Sequence, residues 1–248
     1  MTIKVRIITP HVTPRPQKIE EVAGLNEFVN VAFSHVNLTM GPTSIQGMCD
    51  DGFATPGIVA RCIEAERDGV NAVLIDCMGD PGLDAAREAV SIPVLGPGET
   101  TMHVAAMLGH KFAVVTVLDQ VRPLLEKHAK IYGLQEKLAS VRAVEVAVNH
   151  IGDDPEGLLA RLLEQSKKAD VEDHADCIVL GCTGFLGVSD RLQALLHQDG
   201  LMVPVLNPLR TTASLAVALA GLGLRHSPRA YARADISALV GYGALFAK

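Results

Sequence analysis

"VLIDCMGDPG", residues 73–82, decides how the chain is read. A near-continuous apolar run, long enough for one strand, ends on Cys77 and gives way to glycine, aspartate, proline and glycine. An apolar run without polar alternation marks a strand covered on both faces, and strands of that kind belong to parallel sheets. Asp80 followed by Pro81 suits the cap and first position of a helix, expected from Pro81 to about Ala89. A strand that passes through a short turn into a helix is half of a β-α-β unit.

The same grammar extends in both directions. "KVRIIT" (4–9) reads as a strand, and "TPGIVARCIEAERDG" (55–69) as a helix with Thr55 as N-cap, Pro56 at its first position and Gly69 as its stop. Strands follow at 71–77, 92–96 and 111–117, with a helix at 99–108 between the last two. A helix near 119–132, a strand at 141–148, a helix at 155–174 and a strand at 177–182 continue the series. The fold class is α/β with mainly parallel sheets.

The second half repeats segments of the first. "VLIDCMG" ending beyond Cys77 matches "IVLGCTG" around Cys182, 105 residues on, and "PVLGPGETTMHVAAML" from Pro93 matches "PVLNPLRTTASLAVAL" from Pro204, 111 residues on. "RIIT" ending at Thr9 matches "AVVT" ending at Thr116 at an offset of 107. A repeat of this length can bury its own core, so it implies two duplicated Rossmann-like domains rather than a solenoid. Their expected extents are 1–98 plus 207–248 for the first and 99–206 for the second. In open α/β sheets ligands bind beyond the carboxyl ends of the strands, where helix N-termini present unpaired N–H groups. Cys77 and Cys182 both fall there. If the two domains face each other about a pseudo-twofold axis, the thiols flank one ligand in the cleft between them.

Two acid/base groups on opposite sides of a planar centre are what a two-base racemase needs: one thiolate removes a proton from carbon and the opposite thiol returns one to the other face. A thiol has an ordinary pKa of about 8.5, and a helix N-terminus can lower it to give thiolate near neutral pH. Cys62 sits at an apolar helix position and Cys177 opens a strand, so both read as packing residues; Cys49 lies in the polar stretch "GMCDDG". Thr100 and Thr211 read as helix caps in the two repeats.

Composition narrows the partners. The 248 residues carry 48% hydrophobic and 20% charged side chains and a formal charge of -6. There is no basic cluster, which excludes a nucleic-acid or anionic-membrane surface. No run of eighteen apolar residues and no leader pattern is present, so a soluble, cytoplasmic protein is expected. Five cysteines at irregular spacing, without a CxxC pair, point away from a zinc site or a disulfide framework. Phosphate-loop, HExxH, GxSxG and GxGxxG motifs are absent, so no metal and no cofactor is expected and the partner is a small-molecule substrate.

The residues quoted above also carry a resemblance. "CMGDPGLDAARE" from Cys77, "PVLGPGETTMH", "GPTSIQG" (41–47) and "GCTG" around Cys182 resemble the Asp/Glu racemase superfamily, and within it the hydantoin and allantoin racemase branch, over nearly the whole chain. The resemblance implies cofactor-independent racemisation with Cys77 and Cys182 as the two bases. It also implies substrate contacts from Pro42, Thr43, Ser44, Gly79, Asp80, Thr116, Thr183 and Gly184, a C-terminal segment that returns to the first domain, and a homo-oligomer. Donors of this kind suit an enolate oxygen.

One departure stands out. The branch carries an Asn-Pro-Asn-Thr/Ser turn after its first strand, whereas here the chain reads "TPHVTPRP" (9–16), retaining the proline and losing both asparagines. His11 is the side chain able to donate in their place, although a loop histidine is expected in solvent. Three readings stay open: a racemase of a cyclic ureide such as a 5-substituted hydantoin or allantoin; an amino-acid racemase, decarboxylase or isomerase acting on a small dicarboxylate, with Arg15 and Arg210 as the candidate cations; and a two-lobed binding protein without chemistry.

Overall fold

The computed structural model describes residues 2–14, 16–27 and 30–246. The chain divides into two compact units, Met1–Gly96 with Thr212–Lys248, and Pro97–Thr211. In chain order the first unit holds β1 (Ile3–Thr9), α1 (Lys18–Val22), β2 (Val31–Asn37), α2 (Met48–Arg67), β3 (Ala72–Ile75), α3 (Leu83–Ala89) and β4 (Val94–Leu95). The second holds α4 (Pro97–Leu108), β5 (Phe112–Thr116), α5 (Arg122–Ile131), β6 (Leu138–Ala143), α6 (Pro155–Val171), β7 (Cys177–Leu180), α7 (Ser189–Gln198) and β8 (Val205–Leu206). Helix α8 (Pro208–Gly221) carries the chain back to the first unit, where α9 (Gly243–Phe246) follows. No described helix is long and apolar enough to cross a membrane.

Each unit contains a four-stranded, all-parallel sheet, ordered β2-β1-β3-β4 in the first and β6-β5-β7-β8 in the second. The repeat read in the sequence is a repeat of register. Val5 to Ile8 lie opposite Ala72 to Ile75, and Phe112 to Val115 lie opposite Cys177 to Leu180. In both sheets the strand order reverses between the two central strands, and the loops that leave them diverge at that point. Residues 9–10 with 76–82 in one unit, and 116–118 with 181–188 in the other, therefore border the natural ligand position of their sheets.

The continuous apolar runs are explained by burial on both faces. In the first unit Val73 and Ile75 pack with Ile58 and Cys62 of α2 and with Leu83 and Ala86 of α3, while Val5, Ala72 and Leu95 pack with Ala216 and Val217 of α8. In the second, Ala113, Val115, Ile178 and Leu180 pack with Leu158 and Leu162 of α6 and with Leu192 and Leu196 of α7. The outer edge of β4 is covered by the C-terminal segment. The Val94 N–H donates to His226 Nε2 at 2.8 Å, and the buried Arg87 donates to the Val94 carbonyl at 3.1 Å and to Tyr231 Oη at 3.1 Å. Arg233 reaches Glu66 at 2.9 Å.

Four local expectations are corrected. Helix α2 begins at Met48, not beside Thr55, so Pro56 lies inside it. Asp50 and Asp51 favour its first turn, and Thr55 Oγ1 donates to the Asp51 carbonyl at 2.9 Å. Gly52, whose carbonyl Pro56 cannot serve, is exposed to water. The helix does stop at Gly69 (φ +70°), with Val70 N–H donating to the Ala65 carbonyl. Strand β6 ends at Ala143 because Glu145 adopts φ 55° and turns the chain out of the pleat. Thr100 and Thr211 lie inside the first turns of α4 and α8, which open on Pro97 and Pro208; the cap of α8 is Asn207, whose Oδ1 accepts the Arg210 N–H at 3.0 Å. Asp80 does not cap α3, which starts at Leu83 behind Gly82.

Helix α6 opens on a conventional cap, Asp154 accepting the Gly157 N–H at 2.9 Å ahead of Pro155. Asp154→Ala is expected to destabilise the second unit by about 1 kcal/mol, read as a lowered denaturant midpoint with unchanged slope.

Candidate active site

Cys77 and Cys182 each stand two residues beyond the last residue of a central strand, and both are half-buried. Their backbone settings correspond. The Asp76 N–H donates to the Ile8 carbonyl at 2.8 Å and the Gly181 N–H to the Val115 carbonyl at 2.7 Å, extending each ladder by one rung. Just beyond, the Asp80 N–H donates to the Cys77 carbonyl at 3.0 Å and the Phe185 N–H to the Cys182 carbonyl at 3.2 Å, closing the same tight turn. The other buried thiols differ in kind. Burial pushes Cys62 up to about 12 and, reinforced by Asp176, Cys177 up to about 12, which leaves both protonated and inert near neutral pH. Cys49 is exposed.

In the first unit three loops meet at the carboxyl edge of the sheet. The Pro42 carbonyl accepts the Val12 N–H at 2.9 Å and the exposed Thr43 accepts Thr13 Oγ1 on its carbonyl at 2.7 Å. Asn37 Nδ2 donates to the carbonyls of His11 (3.0 Å) and Thr13 (2.8 Å), so the loop that lost its asparagines is pinned by one on β2. His11 is buried, 8% exposed, rather than solvated, because this pinning folds the loop inward. Ser44 is buried and accepts Gln46 Nε2 at 2.9 Å.

The turn after Cys77 explains why Asp80 is not a cap. Its backbone takes φ 45°, a conformation aspartate tolerates better than most residues, and the Leu83 N–H bonds to its carbonyl at 3.3 Å. Its buried carboxylate then lies over Gly96, where a Cβ would come within 2.4 Å of it. Gly79, within the turn, is half-buried.

In the second unit Cys182 Sγ accepts the Gly184 N–H at 3.3 Å. A Cβ on residue 184 would meet that sulfur at 3.2 Å and Ile151 Cδ1 at 3.0 Å, so glycine lets the backbone close on the thiol. Thr183 is buried. Thr116 is fully buried, and its hydroxyl donates to the Gly181 carbonyl at 3.2 Å, holding the peptide ahead of Cys182. Of the two candidate cations, Arg210 is engaged by Asp190 at 2.9 Å and Arg15 lies outside the described residues.

A group that sequence reasoning missed lies behind Cys77. Asp76 accepts Lys18 Nζ at 2.9 Å and Thr9 Oγ1 at 2.7 Å, with His35 Nε2 2.8 Å from the same hydroxyl. The ion pair is almost wholly buried, its side chains 4% and 0% exposed. Burial lowers the pKa of His35, with Asp76 opposing and Lys18 reinforcing, so its imidazole is neutral at neutral pH. Asp76 standing where an apolar residue is expected, before a strand-end cysteine, was the available signal.

The chain is similar to several known proteins. A sequence profile described as Asp/Glu/Hydantoin racemase matches residues 19–216. The chain is 35% identical over 218 residues to a hydantoin racemase of Rhizobium meliloti, covering 86% of this chain and 88% of that one. It is 34% identical over 226 residues to a hydantoin racemase of Pseudomonas sp. strain NS671, covering 91% and 89%. Among solved structures, an allantoin racemase from Klebsiella pneumoniae superposes with a TM-score of 0.89 at 27% identity, with 100% of both chains covered.

Two outcomes are expected from the geometry. Iodoacetamide at about pH 8 should modify Cys49, Cys77 and Cys182 in the native protein and leave Cys62 and Cys177 untouched until denaturant is added, as peptide mass spectrometry would show. Gly96→Ala should displace the Asp80 carboxylate and destabilise the first unit by about 1–3 kcal/mol, as chemical denaturation would measure.

Proposed function

The chain belongs to the Asp/Glu/hydantoin racemase family and is an isomerase acting on a small molecule; from that premise we propose that it racemises a five-membered cyclic ureide, a 5-substituted hydantoin or allantoin, with Cys77 and Cys182 as its two bases and no cofactor. The observation that carries the reading is the equivalence of the two thiols. They occupy the same position in two copies of one register, each two residues past its strand and each at the start of the same turn. Chemistry that treats the two faces of a carbon alike needs two such groups.

The substrate class follows from the acid strength required. In a cyclic ureide the reacting C–H lies beside a ring carbonyl, so the carbanion is an enolate and a thiolate is a strong enough base. A dicarboxylate would call for cationic side chains, and Arg210 already faces Asp190. The relatives named hydantoin racemase and allantoin racemase agree with the ureide.

In the reaction, one cysteine thiolate takes the hydrogen of the stereocentre as a proton and becomes a thiol, and the electron pair of the broken C–H bond passes to the enolate oxygen. The opposite thiol then donates its proton to the other face of the same carbon and becomes a thiolate. Charge and protons balance, and the enzyme is left poised for the reverse direction. Each thiol acts on one enantiomer. The N–H-lined turns around Gly79 and Thr183, with Ser44, Thr43 and Pro42 on the neighbouring loop, are assigned to the carbonyl and ureide groups of the substrate. The Asp80 carboxylate occupies the space over Gly96, Gly184 holds the Cys182 sulfur, and Thr116 shapes the strand end through Gly181.

Single enantiomers of hydantoins, allantoin, aspartate and glutamate incubated in deuterated water test the assignment. Loss of optical rotation with deuterium uptake at the stereocentre is expected for the ureides. Cys77→Ser and Cys182→Ser should each reduce racemisation by about 10²–10⁴-fold, each retaining exchange with one enantiomer, while Cys62→Ala keeps turnover. Unchanged racemisation in either serine variant removes that cysteine from the mechanism, and saturable binding without hydrogen exchange makes the protein a binder instead.

A further inference from the structure

The two thiols share a backbone setting but not an electrostatic one. Ahead of Cys182 stands Gly181, whose position has no room for a side chain, since a Cβ there would lie 2.7 Å from Thr116 Cβ. Ahead of Cys77, at the equivalent position, stands Asp76, charged, buried and paired with Lys18 of α1. A buried ion pair of this kind is weak as a source of stability, because desolvation offsets most of its Coulomb attraction, yet it fixes charge at a chosen place. Here the place is one peptide bond from a thiol whose protonation state decides what it can do.

We propose that Lys18 and Asp76 are positioning residues that set the proton affinity of Cys77 alone, and so make the two thiols of the duplicated fold inequivalent. The pair acts through space on the sulfur and through the backbone on its placement. Asp76 is anchored by its N–H on Ile8, by Thr9 and by Lys18, so the Cys77 peptide that follows it has a fixed start. Titratable groups on the surrounding elements that are buried or half-buried include Glu21 on α1, His35 on β2, Asp51 on α2, His11 after β1 and Asp80 after Cys77. Among these His35 is neutral, and Asp51, raised to about 6 by burial and by Asp50, is ionised in the range where thiols titrate.

Signs follow directly. With Lys18 removed, an uncompensated carboxylate next to Cys77 disfavours the thiolate and raises the pH at which Cys77 ionises; with Asp76 neutralised, the remaining ammonium lowers it. At separations of one residue, either change amounts to about one to two pH units.

Iodoacetamide modification followed at individual peptides across pH 6–10 reads both thiols without turnover. The inference rests on the two-thiol reading for its functional meaning, but alkylation and racemisation can fail separately. In the unaltered protein the midpoints of Cys77 and Cys182 are expected to differ. Lys18→Met should move the Cys77 midpoint up and Asp76→Asn should move it down, with Cys182 unmoved in both, and one limb of the pH profile of turnover should follow. Where Lys18→Met does not accumulate as folded protein, the near-isosteric Asp76→Asn decides by the sign of its shift. Equal midpoints in the unaltered protein, a Cys77 midpoint that ignores both substitutions, or thiols that move together would overturn the proposal.

Discussion

The N–H of Asp76 donates to the carbonyl of Ile8, and the N–H of Gly181 to that of Val115; these are the last rungs tying β3 to β1 and β7 to β5. One residue beyond each rung stands a half-buried cysteine, held there because the ladder stops and the chain must turn. Slipping either pair by one residue would turn Val73 and Ile75, or their counterparts Ile178 and Leu180, away from the helices they pack against. Burial on both faces therefore fixes the register, and the register fixes the thiols. Their position is a consequence of core packing rather than of any interaction the cysteines make.

Within that shared frame the two units have drifted in polar detail. Asp76, Lys18, Thr9 and His35 form a charged cluster behind one thiol, where the other has Gly181 and the Thr116 hydroxyl. Helix α8 opens on its own capping amide, Asn207; at the matching position before α4 there is Gly96, with the carboxylate of Asp80 lying in the space a side chain would take. At the position equivalent to Asp80 the second unit has Phe185, buried in its core. The backbone repeat has been kept while the groups placed on it have diverged.

Much of this was legible in the sequence because the signals were local. Strands β3 and β7 are marked by continuous Ile, Val and Leu, and the repeat by matched Cys, Pro and Thr-Thr landmarks. What escaped depended on distant partners or on unusual backbone. The first turns of α2 hide in "GMCDDGF", whose glycines read as a loop, and Pro56 reads as a start because an interior proline is costly. Asp80 and Pro81 resemble a cap, but the carboxylate lies over Gly96 instead. Nothing in "QKIEEV" says that Lys18 will be buried against Asp76, since that pairing spans 58 positions of chain. His11 likewise looks solvated until Asn37 is seen to fold its loop inward.

The route of the chain has a consequence for biosynthesis. The second unit is one uninterrupted segment, Pro97–Thr211, and has all its strands as soon as β8 leaves the ribosome. The first unit has its four strands earlier, but the outer side of β4 lacks its cover until His226 and Tyr231 have been made. A nascent chain thus carries an open strand edge, able to recruit other extended segments, through most of translation. The later-born half of the molecule is the first that can finish folding, and the earlier-born half closes only with the final residues.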